Sequence, residues 1–368
     1  MIPWLGKLLH VSYGSLSVLR LIEYLSFRSL AAAFTAILIT LWATPRLIWF
    51  LHRREFVDQH RITGVPSASD KVGTPVMGGS VVVGAVLLAC LLWCNLSNGF
   101  VLLVLFGMLW FGLIGLVDDL AKSGERSGEK GLSEKKKLAL QMLFAAILVG
   151  VLLSSLSPLP RTEAAKLYMP FVKIAISRAA LIYFPIVFVF VIVVGNSVNI
   201  ADGLDGLAIV PSVFTVGVLG VFGYVIGNFI WSRYLFYPYY PGAGELTVFC
   251  SAFVGAGIGF LWFNAYPAQI FMGDTGSMAI GGAIAVICVL LKQEGLFLIA
   301  GGLFVAEALT SQIQDKVGIK WLGRRIFFRA PLHHQMQHTG LAETKVVIRL
   351  WIVSGILALV ALATLKLR

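Results

Sequence analysis

Aspartates stand at the edges of long apolar stretches at three places in this chain. They are Asp118 and Asp119, Asp202 and Asp205, and Asp274. A carboxylate held in or near hydrocarbon is costly unless a partner compensates for its charge, so acids at these places indicate a functional site. The compensating partner that we expect is a metal ion that bridges phosphate groups.

Spacing within each pair indicates how its members divide their roles. On a helix, adjacent residues such as Asp118 and Asp119 point about 100° apart. One can then face a metal or a substrate while the other faces a neighbouring helix, and the alternative is a solvated helix end. Asp202 and Asp205 are three positions apart and would share one face if their segment were helical.

The neighbours of these aspartates suit a phosphate ligand. Asn199 adds an amide, and Gly203 and Gly206 let the backbone approach a ligand closely. Phe271 could stack on a nucleobase, although a lone Phe beside a membrane span is more often a lipid or core contact. Asp274 could instead cap the helix that follows it. The DGLDG string could be a calcium-binding turn, but it lacks the further acids of an EF-hand loop.

Basic residues occur on the same loops and offer donors for phosphate oxygens. They are Lys71, Lys122, Lys137, His333 and His334, with His338 nearby. Lys122 and Lys137 are also candidate cationic partners for the aspartate pair. A zinc site at the histidines is the alternative, but it would have no cysteine partner here. Oxygen ligands without thiolates favour Mg²⁺. The aspartates and the basic residues together therefore predict Mg²⁺-assisted phosphate transfer.

Composition places this chemistry in a membrane. Of the 368 residues 58% are hydrophobic and only 13% are charged, which excludes an ordinary soluble domain of this size. The apolar stretches are about 20 residues long, the length with which a helix crosses the hydrocarbon core, and they lack the alternation of a membrane barrel. The fold class predicted is an all-α, polytopic integral membrane protein with an active-site cleft at the inner face.

We predict about ten transmembrane helices in a single membrane-embedded domain, 1–368. The spans are 29–51, 77–95, 99–117, 138–157, 179–197, 207–227, 246–263, 277–291, 296–314 and 346–365. Residues 1–28 mix polar and apolar positions and are predicted to form an interfacial helix. The loops that hold the aspartates and histidines carry more Lys and Arg than the opposite loops, which places them in the cytoplasm.

The other sequence features favour structural roles. All four cysteines lie in apolar spans, where they behave as small hydrophobic residues. Glycine spacings such as Gly255 with Gly259, or Gly112 with Gly115, are typical of close helix packing. The net charge of +11 fits a positive-inside excess, and also an attraction to anionic headgroups and a polyanionic substrate.

Five strings in order carry a family resemblance over nearly the whole chain. They are DKVGTPVMGG, GLVDDLAK with GLSEKKK, NSVNIADGLDGLA, FNAYPAQIFMGDTGS, and APLHHQ with GLAETKVVIR. The chain resembles the polyprenyl-phosphate N-acetylhexosamine-1-phosphate transferase superfamily and, within it, the phospho-N-acetylmuramoyl-pentapeptide-transferase family. That resemblance implies ten transmembrane helices in the bacterial inner membrane, with both termini in the periplasm.

The resemblance also implies a reaction. Phospho-MurNAc-pentapeptide would move from UDP-MurNAc-pentapeptide to undecaprenyl phosphate, giving lipid I and UMP for peptidoglycan synthesis, with Mg²⁺ required. A homodimer is considered, and no nucleic-acid partner is expected. The motif match implies that Asp274 ligates the metal and that Asp118 and Asp119 lie beside the polyprenyl phosphate. The residues implied around the uridine diphosphate are Lys71, Asp202, Asn264 and Phe271, and those implied near the phosphates are Lys122, Lys137, His333 and His334. Asn199 and Asp205 are further candidates for substrate binding.

One position departs from the family pattern. The family loop usually carries three consecutive histidines, and here the third position is Gln335. A glutamine can hydrogen-bond to a phosphate but cannot supply a positive charge. The role of the third imidazole is therefore open, as is whether His338 replaces it.

Two other functions are compatible with parts of the sequence. A UDP-GlcNAc transferase of the same superfamily would use the same chemistry, and the APLHHQ and ETKVV strings argue against it. A transporter or flippase would use ten spans but usually places ionisable residues near the bilayer midplane. Glu307, inside the ninth predicted span, is the residue that fits a transporter, and a local helix contact explains it as well.

Overall fold

The computed structural model describes residues 21–54, 56, 73–124, 131–172, 175 and 180–367, and these form α-helices joined by turns, without a β-strand. In chain order the helices are α1 (Leu25–Arg53), α2 (Gly79–Trp93), α3 (Gly99–Gly124), α4 (Glu134–Leu153), α5 (Ala180–Ala201), α6 (Ile209–Ile226), α7 (Phe229–Tyr234), α8 (Glu245–Asn264), α9 (Gly273–Leu291), α10 (Glu294–Ala300), α11 (Gly302–Gln312), a π-helical segment (Ile313–Trp321), α12 (Leu332–His338) and α13 (Glu343–Ala363).

The predicted all-α, polytopic membrane fold is confirmed. Within the described ranges, eight helices are long and apolar enough to cross a membrane, and a ninth crossing results if α10 and the helix after it count as one bent span. The predicted span 77–95 corresponds to α2, which has only 15 residues. A helix of that length covers about 22 Å, less than the ~30 Å hydrocarbon core.

Several boundaries differ from the prediction because helices continue past the apolar stretches. α3 runs seven residues beyond the predicted end at 117 and includes both Asp118 and Asp119. α1 begins at Leu25, so residues 25–28 belong to this helix rather than to a separate interfacial one. Residues 1–20 of that predicted interfacial helix lie outside the described residues.

Helix α9 lies at the centre of the bundle and packs against α2, α3, α5 and α6. In its apolar window, 94% of the residues are buried. Small residues permit this close packing: a Cβ at Gly115 of α3 would lie 2.1 Å from the carbonyl oxygen of Asp274, and a Cβ at Gly276 would lie 2.6 Å from the Cα of Gly79. Gly115 therefore lets α3, and Gly276 and Gly79 let α2, approach the first turn of α9 closely.

The packing role predicted for other glycines is also confirmed. A Cβ at Gly255 of α8 would lie 2.1 Å from the carbonyl oxygen of Ala33 on α1, and one at Gly259 would lie 3.0 Å from Thr40. Helices α1 and α8 can approach closely because no side chain intervenes.

The ninth predicted span, 296–314, is broken. Helix α10 ends at Ala300, and the helix that begins at Gly302 is bent from it by 87°. After the π-helical segment the chain returns to form α12, the short helix that carries the histidines, and α12 packs against α11 and α13. The bend and this return place α12 at the same end of the bundle as residues 202–208, the acidic turn between α5 and α6.

Candidate active site

Two lysines join aspartates from two helices at the start of α9. The Lys122 Nζ lies 2.7 Å from Asp118 Oδ2 and 3.0 Å from Asp274 Oδ2. The Lys137 Nζ, from the first turn of α4, lies 2.7 Å and 2.9 Å from the same two oxygens. The remaining Asp118 oxygen accepts a hydrogen bond from the backbone N–H of Leu132. Four charged side chains from three helices thus form one network.

Asp119 faces away from this network and holds the first turn of α9. Its oxygens accept hydrogen bonds from the backbone N–H groups of Asp274 and Thr275 and from the Thr275 hydroxyl, at 3.1, 2.9 and 2.6 Å. Free N–H groups at a helix start are favourable partners for a carboxylate. The predicted division of roles is therefore present: Asp118 contacts the lysines and Asp119 contacts the neighbouring helix.

Asn199 completes the surroundings of Asp274. Its Nδ2 donates to Asp274 Oδ1 and to the Ser277 hydroxyl, both at 3.0 Å. The Asn199 amide comes from the last turn of α5, so Asp274 is positioned by α3, α4 and α5 together. One turn earlier, Asn196 and Gln141 exchange hydrogen bonds and join α5 to α4.

The carboxylates meet a geometric requirement for a cation. One oxygen from each of Asp118, Asp119 and Asp274 lies within 4.8 Å of the others. The donors are all oxygens, as Mg²⁺ prefers, and two ammonium groups already approach the same oxygens. The residues therefore fit a divalent cation, and Asp274 is the ligand that a cation can reach most easily, because its side chain is partly exposed while Asp118 and Asp119 are buried.

The acidic turn between α5 and α6 is not helical, so Asp202 and Asp205 do not share a helix face. Asp205 is buried and accepts a hydrogen bond from the backbone N–H of Ala268, while its own N–H donates to Glu343. Asp202 keeps some solvent exposure. Desolvation by the surrounding protein raises the pKa of Asp202 to about 8, and the negative charges of Asp274, Asp119 and Asp205 add to this shift.

Asn264 borders the same turn, and Phe271 contacts the chain just before α2. The buried Asn264 side chain accepts from the backbone N–H of Gly206 and donates to the carbonyl of Ile270. It therefore fixes two loops to each other. The backbone of Phe271 binds Pro75 and Gly78, which anchors the start of α2 beside the site. The Phe271 ring is partly buried.

The two predicted histidines occupy different surroundings on α12. His333 is 1% exposed, and its Nδ1 lies 3.0 Å from the carboxylate of Glu307 on α11. His334 is partly exposed, and its Nδ1 lies 3.1 Å from Gln337 Oε1. Its ring is tilted by 55° against that of His333, with ring centroids 4.3 Å apart. Partial burial and the neighbouring His333 lower the pKa of His334, so its neutral form is favoured at pH 7.

Most of the predicted site residues that the structure describes gather at one end of the bundle. Lys71 lies outside the described residues. Three participants that we did not predict are Glu307, Glu343 and Thr275. Thr275 and Glu343 lie in the MGDTGS and GLAETK strings, so those motifs could have indicated them. Glu307 stood out only as an acid inside an apolar span.

A family model described as "Glycosyl transferase family 4" matches residues 101–292, more than half of the chain. The match covers α3 to α9 and therefore the aspartates of the lysine network, Asn199 and the acidic turn. The chain belongs to glycosyl transferase family 4, the family of the polyprenyl-phosphate hexosamine-1-phosphate transferases, and is a membrane-embedded transferase of a sugar phosphate.

Proposed function

We propose that this protein transfers phospho-MurNAc-pentapeptide from UDP-MurNAc-pentapeptide to undecaprenyl phosphate, releasing UMP and forming lipid I for peptidoglycan synthesis. The proposal includes a cytoplasmic-face active site in the bacterial inner membrane. The observation that carries it is the network in which Lys122 and Lys137 bridge Asp118 and Asp274. A reaction between two phosphates needs cationic groups close to a metal site, and this network supports the proposal because it sets two ammonium groups beside carboxylates that could hold a metal ion.

The acceptor needs little activation. A phosphomonoester has a second pKa near ~6 and is mostly a dianion at pH 7. One of its oxygens attacks the β-phosphorus of the nucleotide sugar, a new P–O bond forms, and the bond from the β-phosphorus to the bridging oxygen breaks. UMP leaves with that electron pair. The ammonium groups of Lys122 and Lys137 are placed to bind the phosphate oxygens, and Asp118 fixes both lysines.

Asp274 is the residue that would hold Mg²⁺, with Asp118 beside it and with Asp119, which lies on α3, holding the first turn of α9. When bound, the ion would neutralise the diphosphate and stabilise the UMP leaving group. The protein's own part is to keep the carboxylates together. Asn199 and the first turn of α9 do this through their hydrogen bonds to Asp274 and Asp119.

A phospho-enzyme route is the competing scheme, with Asp118 or Asp119 as nucleophile. Burial and bonding argue against it. The Asp118 side chain is 0% exposed and both of its oxygens are engaged, and both Asp119 oxygens bind α9. Enzyme incubated with the nucleotide sugar and no lipid should release no UMP beyond slow hydrolysis. One UMP per enzyme with a labelled aspartate would replace direct attack by the covalent scheme.

The substrate is tested by offering purified protein UDP-MurNAc-pentapeptide and UDP-GlcNAc in parallel, each with undecaprenyl phosphate and Mg²⁺. We expect labelled lipid product only from the MurNAc substrate, because the APLHHQ and ETKVV strings resemble the enzymes that use it. Product from UDP-GlcNAc alone would assign the chain to the other branch of its family. An Asp118→Asn variant serves as the inactive control.

A single domain is proposed because the sequence shows no internal repeat, and a homodimer is proposed beside it. Size-exclusion chromatography with light scattering in detergent would report the oligomeric state directly, and a mass of one protein chain after correction for detergent would exclude the dimer.

A further inference from the structure

We propose that Glu307 and His333 form a buried positioning pair that supports the acidic turn, and that His333 acts through Gly203 instead of touching a phosphate. This inference rests on the proposed function, because it assigns a role in binding the nucleotide sugar to a glutamate that the chemistry above does not use. The pair joins three elements that are far apart in sequence: α11, α12 and the turn after α5.

The pair is closed to solvent. Glu307 is 0% exposed and His333 is 1% exposed. The Glu307 carboxylate lies 3.0 Å from His333 Nδ1 and 3.4 Å from the His333 backbone nitrogen. A carboxylate at Nδ1 fixes both the orientation of the imidazole and the nitrogen that carries the proton. Glu307 therefore determines where the opposite nitrogen, Nε2, points.

His333 Nε2 points at Gly203. A Cβ on Gly203 would lie only 2.3 Å from this nitrogen, and the three nearest heavy atoms to such a Cβ all belong to the His333 ring. Gly203 is itself exposed on its other side. The imidazole is therefore packed beneath the turn, on the side opposite to solvent, and the neighbouring Asp202 is carried on the solvent side.

Two atoms of the pair are buried without a hydrogen-bond partner among the described residues. They are Glu307 Oε1 and His333 Nε2. Leaving a buried polar atom unpaired destabilises the fold, so an apolar contact would hold the turn at lower cost. Buried polar groups of this kind need an explanation other than stability. A fixed imidazole orientation beneath a substrate-binding turn provides one.

The second half of the acidic turn has other supports. The Gly206 backbone accepts from Trp351 Nε1 and donates to Asn264, and the N–H of Asp205 donates to Glu343. At Gly203 the closest contact is the His333 ring. Displacing this ring should therefore move the Asp202 half of the turn and leave the Asp205 half in place.

The decisive experiment compares Gly203→Ala in two backgrounds. In the native background the new methyl meets the imidazole, and we expect KM for the nucleotide sugar to rise by about 10-fold or more. In the His333→Ala background the obstacle is gone, so adding Gly203→Ala should change KM by no more than about 2-fold. Gly203 has no left-handed backbone angle, so alanine brings no backbone strain of its own. An equal cost in both backgrounds would overturn the proposal.

Variants of Glu307 test the other half of the pair. Glu307→Gln keeps an acceptor for Nδ1–H and should raise KM for the nucleotide sugar less than Glu307→Leu, which keeps none. Neither should change KM for the lipid phosphate. Loss of folded protein alone would lower the maximum rate with both KM values intact, and that result would contradict the positioning role. Glu294→Gln, a buried glutamate in the same bent span but bonded to Tyr183, is the matched control.

The wild-type assay separates this inference from the proposed function. If wild-type protein turns over UDP-MurNAc-pentapeptide and the Gly203 and Glu307 variants behave as wild type, only the positioning pair is wrong. If wild type uses a different nucleotide sugar, the proposed substrate is wrong and the same KM comparisons are made with the sugar that it accepts.

Discussion

The two ends of helix α9 each hold charged side chains, but in opposite environments. At its first turn, Asp274 binds Lys122 and Lys137, and these three side chains are 18%, 30% and 23% exposed. Just after its last turn, Lys292 is 0% exposed, donates to the carbonyl of Ala164 at 2.6 Å and lies 3.8 Å above the Tyr183 ring. The first group is reachable and the second is enclosed.

At the enclosed end, Lys292 contacts only groups of the protein itself among the described residues. Burial lowers the pKa of Lys292 to about 8, while the charges of Glu294 and Glu163 oppose that shift. Lys292 also adopts a left-handed backbone conformation, with φ of 58°, which ends α9. Its partners belong to the protein. At the first turn, by contrast, the ammonium groups keep exposed surface that a phosphate can approach.

Of the substitutions that distinguish the two ends of α9, removal of the Asp274 charge should have the largest effect. We expect Asp274→Asn to reduce kcat by about 10³-fold or more, because it removes a proposed metal ligand and the partner of both lysines. The fold should persist, since asparagine can still accept from Asn199. The measurement is turnover over a Mg²⁺ series together with the melting temperature. Normal activity at every Mg²⁺ concentration would exclude the metal assignment.

Removing the charge of Lys292 should have the opposite signature. Lys292→Met leaves the buried Glu294 without its nearby cation, a change that costs about 3 kcal/mol of stability in comparable buried pairs. Turnover per folded molecule should stay within about 2-fold of wild type, because Lys292 and the first turn of α9 are separated by the length of the helix, about 27 Å. The two quantities are read from a denaturation curve and from active-site-normalised rates. A selective loss of kcat with unchanged stability would mean that the region around Lys292 contributes to catalysis.

For the first turn of α9, the sequence predicted which residues take part better than it predicted how they are arranged. Acids beside apolar stretches predicted that Asp118, Asp202 and Asp274 lie around one site. The carboxylates that lie within ligand distance of one another are those of Asp118, Asp119 and Asp274, and Asp202 is not among them. Hydropathy did not predict where α3 ends, because the helix continues in polar sequence, where Lys122 pairs with Asp118 one turn earlier. Hydropathy reports the preference for lipid, and a helix can extend beyond the lipid whenever its polar residues find partners.

The histidine and glycine contacts could not be predicted from the sequence. Glu307 and His333 are separated by 26 positions, and the fold of the ninth span, bent by 87° near Gly301, decides whether they meet. No periodicity encodes such a contact, since periodicity identifies a buried helix face and not the partner that faces it. The same limit applies to Gly203, whose glycine identity suggested ligand approach and whose Cβ position is in fact blocked by an imidazole.

The smallest predicted effect uses pH to distinguish the ends. Asp202 has a folded pKa of about 8 against an ordinary value of 3.8, so the folded state holds its proton longer than the unfolded chain. Stability should then fall as pH rises from about 4 to about 8. Lys292, with a folded pKa of about 8 against 10.5, loses its proton earlier in the folded state, so its contribution rises above pH 8.

The two substitutions should therefore flatten different parts of one curve. Asp202→Asn should reduce the fall in melting temperature between pH 5 and pH 8, an effect on the order of a few degrees, and leave the region above pH 8 unchanged. Lys292→Met should flatten only the region above pH 8. Melting temperatures of the wild type and both variants across pH 5–10 make the comparison. The melting temperature of Asp202→Asn could instead fall below pH 8 as steeply as that of the wild type. Asp202 would then already be ionised in the folded protein, and the turn after α5 would tolerate its full negative charge.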